Sequence, residues 1–274
     1  MFAEEEAAPA AFSSQTVGFT TEAWMPADFV MMGGQFENTD GSAVKLSQIN
    51  FGKDFTGPEY GDGPDAEGSF IKTAPQVQLA FRDSEGTVAY YFLCDGKVVD
   101  EEQGIFAPGW VDADGNEADP DVELALGFWF KDAFNKARFL QNKGQVMEEN
   151  TFEKDFNIEF RMLVSPYPKA TKLSEITFVD IEQDATEYGD GESFVKTATQ
   201  IQIPFADSEG FTSYYFLADG KVVDEEQGIF APGWVDADGN EVDPDELVIP
   251  PTRGCWFRPC KDFKADKMTV VFTK

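Results

Sequence analysis

Residues 95–117 read DGKVVDEEQGIFAPGWVDADGNE, and residues 219–241 repeat those 23 residues without a change, 124 positions further on. The likeness extends outward. GSFIKTAPQVQLAFRDSEGTVAYYFL (68–93) matches ESFVKTATQIQIPFADSEGFTSYYFL (192–217), and KLSQINF (45–51) matches KLSEITF (172–178). A repeat of this length predicts two similar folding units in tandem. We divide the chain into an arm (1–13), a first unit (14–146) and a second (147–274), with the boundary near residues 144–150. The β-prone pieces SQTVGFT, KGQVMEE and MTVVFTK predict that each unit opens and closes on a strand.

The local pattern is β throughout. QVQLAF and QIQIPF alternate polar with apolar residues as half-buried strands do, and TVAYYFL and TSYYFL are aromatic strand runs. Asp-Gly is a strong turn signal, so residues 88–99 and 212–223 read as hairpins turning at CDG and ADG. GWVDADGNEV predicts a further hairpin with its turn at DADGN. Only residues 133–140, AFNKARFL, suggest a turn or two of helix. Short strands with regular turn signals predict an all-β chain of two homologous sandwich or barrel-like domains.

The chain has 51 acidic and 21 basic residues, for a net charge of −30. Such a charge repels phosphate backbones and anionic lipid, which argues against nucleic-acid and membrane-surface partners. The 27 Phe, 7 Tyr and 5 Trp require a packed core, so this is not a disordered acidic chain. No apolar run reaches the 18 residues a membrane span needs. The opening MFAEEEAAPAAFSSQ lacks the basic and apolar regions of a signal peptide, so an exported form would be the processed one.

Histidine is absent, which removes Ser-His-Asp, Cys-His and HExxH chemistry. Paired carboxylates suffice for glycoside hydrolysis, but nothing singles out one pair among 51 acidic residues. We therefore expect a non-enzyme.

Five sets of residues are candidates for function. Asp112, Asp114 and Asn116, with their copies Asp236, Asp238 and Asn240, place oxygens at alternate positions as the start of a calcium loop does. They depart from the EF-hand, with Gly at the fourth position and no Glu at the twelfth, and a plain hairpin turn is the competing reading. The Tyr-Gly-Asp-Gly segments at 60–63 and 188–191 have the same two readings. Cys255 and Cys260 are spaced for a small disulfide loop or are reduced thiols. Trp110 and Trp234 are either aromatic platforms for sugar or core residues. In the arm, Phe2, Ala3, Ala10, Ala11 and Phe12 are candidates for adding a strand to a neighbour's sheet edge.

The order YYFLADGK, APGWVDADGN, DELVIPPTRGCWFR resembles repeat domains of secreted β proteins of environmental bacteria. The resemblance implies export and a β architecture, and carries no catalytic residues. The second copy departs from it in having Cys255 where the first has Phe128. These features lead to an expected extracellular structural protein, self-assembling into a filament, sheath or surface layer with itself as partner and Ca²⁺ as a candidate ion. The alternative is a secreted carbohydrate- or protein-binding module with one site per repeat.

Overall fold

A computed structural model describes residues 17–24, 30–52, 54–61, 69–80, 86–132, 138–157, 161–189, 193–205, 210–265 and 267–274. Among them the chain is mostly β, with nineteen strands in six antiparallel sheets. Among the described residues, helix is limited to two short 3-10 segments and two single α-helical turns, Phe70–Thr73 (α1) and Phe194–Thr197 (α2).

The first half runs β1 (Val17–Trp24), β2 (Val30–Gly33), β3 (Val44–Lys45), β4 (Gln76–Ala80), β5 (Thr87–Asp100), β6 (Ile105–Val111), β7 (Asp121–Val122), β8 (Gly127–Lys131) and β9 (Arg138–Gln145). The second runs β10 (Thr151–Asn157), β11 (Arg161–Val164), β12 (Thr171–Lys172), β13 (Ile176–Phe178), β14 (Thr199–Pro204), β15 (Phe211–Asp224), β16 (Ile229–Val235), β17 (Val248–Ile249), β18 (Gly254–Arg258) and β19 (Lys267–Thr273).

The strand order is the same in both halves. One five-stranded sheet is β2-β8-β4-β5-β6 and the other is β11-β18-β14-β15-β16. The pair β3-β7 matches β12-β17, and the first strand of each half joins the last, β1 to β9 and β10 to β19. Strand β13 also joins β19, where the first half has a bridge between Asn50 and Gln141.

Strand alternation builds the core. Val77 and Ile201, between glutamines in β4 and β14, are fully buried. Phe51 stacks on Phe130 at 4.8 Å in one half, and Phe178 on Phe257 at 4.3 Å in the other. Burying each such side chain contributes about 1.5–3 kcal/mol.

Two expectations are corrected. The segments 88–99 and 212–223 are not hairpins: β5 and β15 each run unbroken for 14 residues through the Asp-Gly pair. Asp95-Gly96 instead lies at a register shift against β6 between Leu93 and Lys97. The reason is steric. A Cβ on Gly96 would lie 2.5 Å from the Gly109 carbonyl oxygen, so glycine lets the two strands approach closely. The reversal comes later, at 101–104. The helix suggested for 133–140 is also absent at its end, because Arg138 already begins β9; residues 133–137 lie outside those described.

The halves meet along a seam of reciprocal contacts. Met32 bridges to Arg253, and the matching Leu163 bridges to Leu126. Met162 lies over Gly127, where a Cβ would come within 2.8 Å of its own, and Met31 lies over Gly254, with Sδ 2.6 Å from the corresponding point. Such reciprocity is that of a two-fold interface. Trp129 and Trp256 meet there at 5.8 Å, and the buried Gln35 side-chain amide donates to the Ser165 and Tyr167 carbonyls at 3.2 and 3.1 Å.

Candidate functional site

The identical 23 residues form the outer part of the β5–β6 and β15–β16 hairpins and the turn that follows. Beyond the bulge, each hairpin continues as a protruding tip. The Asp95 carboxylate accepts the Tyr60 N–H at 2.9 Å, as Asp219 accepts that of Tyr188 at 3.0 Å. Glu117 accepts the Val98 N–H at 3.2 Å, and Glu241 the Val222 N–H at 3.0 Å. At the reversal, Asp100 accepts the backbone and side-chain N–H groups of Gln103 at 3.0 and 2.7 Å; Asp224 and Gln227 repeat both bonds at the same distances. Gly104 and Gly228 close the tips at φ 63° and 65°, in the left-handed region that glycine enters freely.

These bonds hold an apolar blade in water. Val98, Val99, Ile105 and Phe106 are 46%, 59%, 45% and 53% exposed, and Val222, Val223, Ile229 and Phe230 are 46%, 58%, 46% and 54% exposed. Agreement to within one percentage point shows that identical sequence has produced identical surfaces. Val98 lies opposite Phe106, so the two side chains share one face. Surface apolar residues scattered singly are ordinary, whereas a contiguous cluster marks an interaction surface. The repeated segment is also strongly acidic: residues 95–117 hold seven acidic residues against Lys97 alone.

The tips are remote from the seam. Phe211, which opens β15, meets Trp129 at 6.0 Å, and the strand then runs 14 residues to its tip. That is roughly 40 Å of extended chain.

A cleft of about 470 Å³ lies at the base of the first hairpin, lined by Phe92, Lys97, Pro108 and Trp110, and one of about 390 Å³ by their counterparts Phe216, Lys221, Pro232 and Trp234. Its acidic side chains are engaged in the fold. Glu117 holds Val98 as described, and Asp119 accepts from the Ser47 N–H and hydroxyl at 2.9 and 2.7 Å.

Trp110 and Trp234 are only 4% and 8% exposed, the burial that belongs to the core reading of these two residues and not to open aromatic platforms. Each ring is taken up by the core, edge-on to Phe92 at 5.3 Å or Phe216 at 5.4 Å.

The DADGN segment forms the expected hairpin, with Val111 bridged to Glu117 and Val235 to Glu241. Asp112 Oδ1 accepts the N–H groups of Asp114 and Asn116, both at 2.9 Å, and the Asn116 amide reaches Oδ2 at 3.0 Å. Asp236 makes the same bonds with Asp238 and Asn240, and those from Asn240 hold its carboxyl below the usual range. This carboxylate is thus committed to its own turn. Tyr60 packs over that turn, its ring 2.1 Å from where a Cβ on Gly115 would stand, and Tyr188 covers Gly239 likewise. Among the described residues no three His, Cys, Asp or Glu side chains gather in a way that would hold a metal ion.

Cys255 and Cys260 are free thiols, not the bridge their spacing suggested. Strand β18 carries the chain away from Cys255 alongside β14, with Arg258 opposite Gln200 and the Cys260 N–H on Thr199 Oγ1 at 2.9 Å. Five residues of nearly extended chain span roughly 16 Å, well beyond the ~4–7 Å between Cα atoms of a disulfide. Burial pushes the Cys255 thiol up to about 12. The arm residues Phe2, Ala3, Ala10, Ala11 and Phe12 lie outside the described residues.

Sequence reading missed the exposed tips, although KVV and GIF flanking DEEQ contained the signal: two apolar patches around an acidic turn. Comparison with family models, with curated proteins and with solved structures finds no match for this chain.

Proposed function

We propose that this protein is a non-enzymatic, exported protein-binding module made of two tandem copies of one β domain, with one docking hairpin on each copy. The observation that carries the reading is the pair of tips: the same 23 residues, held by the same hydrogen bonds, present the same apolar blade twice. Half-exposed Val, Ile and Phe side chains gain by leaving water, about 25 cal/mol per Å² covered, and a rigid hairpin loses little entropy on docking.

The same exposed tips favour a second reading, a structural subunit that joins copies of itself into a filament, sheath or surface layer. Light scattering and negative-stain electron microscopy of the full chain, with calcium and with chelator, separate the two. The binding-module reading expects dispersed monomers over the whole concentration range. Filaments or sheets that vanish when Val98, Phe106, Val222 and Phe230 are replaced by serine would overturn it in favour of the structural subunit.

A further inference from the structure

The chemistry of the tips specifies their partner further. Each repeated segment carries seven carboxylates and one lysine, so a second copy would bring a net −6 against −6 at the point of contact. Anionic lipid and nucleic acid meet the same repulsion. Charge complementarity therefore favours a cationic surface.

Strand addition is a poor way to use this edge. Pro108 and Pro232 lie in the outer strands β6 and β16 and offer no N–H. Further along β6 the edge is closed by the chain's own return, with the Ala118 N–H on the Trp110 carbonyl at 2.9 Å. What remains free is the side-chain surface of the tip. Val98 and Phe106 cover one face, and Val99, at the bulge between Val98 and Asp100, is a further apolar residue of the tip at 59% exposed.

The two copies have diverged elsewhere. Phe128 is replaced by Cys255 and Gly33 by Val164, yet the tips are the same in every residue. Both tips therefore suit the same occupant.

We propose that each tip enters an apolar slot on a basic protein, its carboxylates meeting Lys and Arg on the slot's rim, and that one chain binds two copies of that partner. The inference rests on the protein-binding reading above and adds the partner's charge and the stoichiometry.

Titration calorimetry on the full chain, at physiological salt, tests it with three synthetic peptides as probes: alternating lysine and leucine, alternating lysine and serine, and alternating glutamate and leucine. The lysine–leucine peptide is expected to bind at two per chain, roughly tenfold or more tighter than either control. Val98→Ser with Phe106→Ser leaves one peptide per chain, and adding Val222→Ser with Phe230→Ser leaves none. These positions are half-exposed, so the variants retain the fold. As a second approach, Glu101→Gln and Glu102→Gln, with Glu225→Gln and Glu226→Gln, weaken binding severalfold without touching the apolar groups.

Equal binding of the lysine–serine peptide reduces the effect to general attraction toward a polyanion and overturns the proposal, as does a stoichiometry that the serine variants leave unchanged. Equal binding of the glutamate–leucine peptide overturns the cationic partner. Light scattering on the same samples reads the underlying function separately: a tip-dependent dimer makes a second copy the occupant and overturns both readings, whereas a monomer without peptide discrimination overturns this inference alone.

Discussion

Val164 occupies the space that Gly33 leaves empty. A Cβ placed on Gly33 would lie 2.1 Å from Val164 Cγ2 and 2.5 Å from its Cβ. The two residues hold the same place in their halves, since Gly33 is paired with Gly127 and Val164 with Gly254. In an otherwise reciprocal seam, one half has given up a side chain and the other has kept one.

Gly33→Val is expected to destabilise the protein by about 1–3 kcal/mol, the usual range for overpacking. Val164→Gly should cost about 2 kcal/mol or more through the cavity it opens and the flexibility it adds to the strand. The exchanged pair, Gly33→Val with Val164→Gly, should recover part of the combined loss, because the two sites interact directly. Urea unfolding of all four proteins measures the coupling, and strictly additive losses would show that the two residues do not interlock.

The bulge glycines respond differently from the tip glycines. Gly96→Ala drives a methyl group to 2.5 Å from a backbone carbonyl oxygen, and Gly220→Ala to 2.4 Å, so each should lower the melting temperature by several degrees. Gly104→Ala has open space around it and faces only the left-handed conformation, a penalty of about 1 kcal/mol. Thermal melts that rank Gly104→Ala as the worst of the three would contradict this account of the bulge.

The cysteines should react in an order set by burial. Cys255 is fully buried with its thiol pushed up to about 12, so it carries almost no thiolate at pH 8. Cys94 is partly exposed and should alkylate first in the native protein, with all three thiols available after unfolding. Intact mass without reductant should show no loss of two hydrogens. A bridged peptide joining Cys255 to Cys260 would refute the assignment.

The Asx turns contribute a defined acid dependence. Asp236 is held below the ordinary carboxylate range by Asn240, so it stabilises the fold above the unfolded-state pKa of about 3.9 and loses that contribution as pH falls through its lower folded value. Acid also relieves the self-repulsion of a chain at −30, which acts in the opposite direction. Comparing wild type with Asp236→Ala between pH 7 and pH 3 isolates the turn. The difference in melting temperature should shrink toward the acid end, and a constant difference would mean that the carboxylate charge plays no part.

Much of the fold was legible from local patterns. The alternation around Val77 and Ile201, the strand that opens and closes each half, and the DADGN hairpin all rest on preferences that act within a few residues. The Asp-Gly pairs show where such reading stops. Asp95-Gly96 and Asp114-Gly115 carry the same signal, yet the first lies within a continuous strand and the second in a turn. Only the first has Gly109 pressed against it from the neighbouring strand. Spacing along the chain likewise left both readings of Cys255 and Cys260 open, because it does not show that β18 runs extended from Cys255 to Arg258 before the chain reaches Cys260.

That the chain is β-rich, repeats itself, has no histidine and carries a net charge of −30 could be read without coordinates, because composition, periodicity and self-identity are properties of the chain alone. Tertiary structure decided which apolar residues stay in water and which glycines serve another element. Phe106 and Trp110 lie four residues apart in one strand, one 53% and the other 4% exposed. The difference is set at long range: Trp110 has Phe51 and Phe92 to pack against, whereas the end of the same strand that carries Phe106 lies beyond the core.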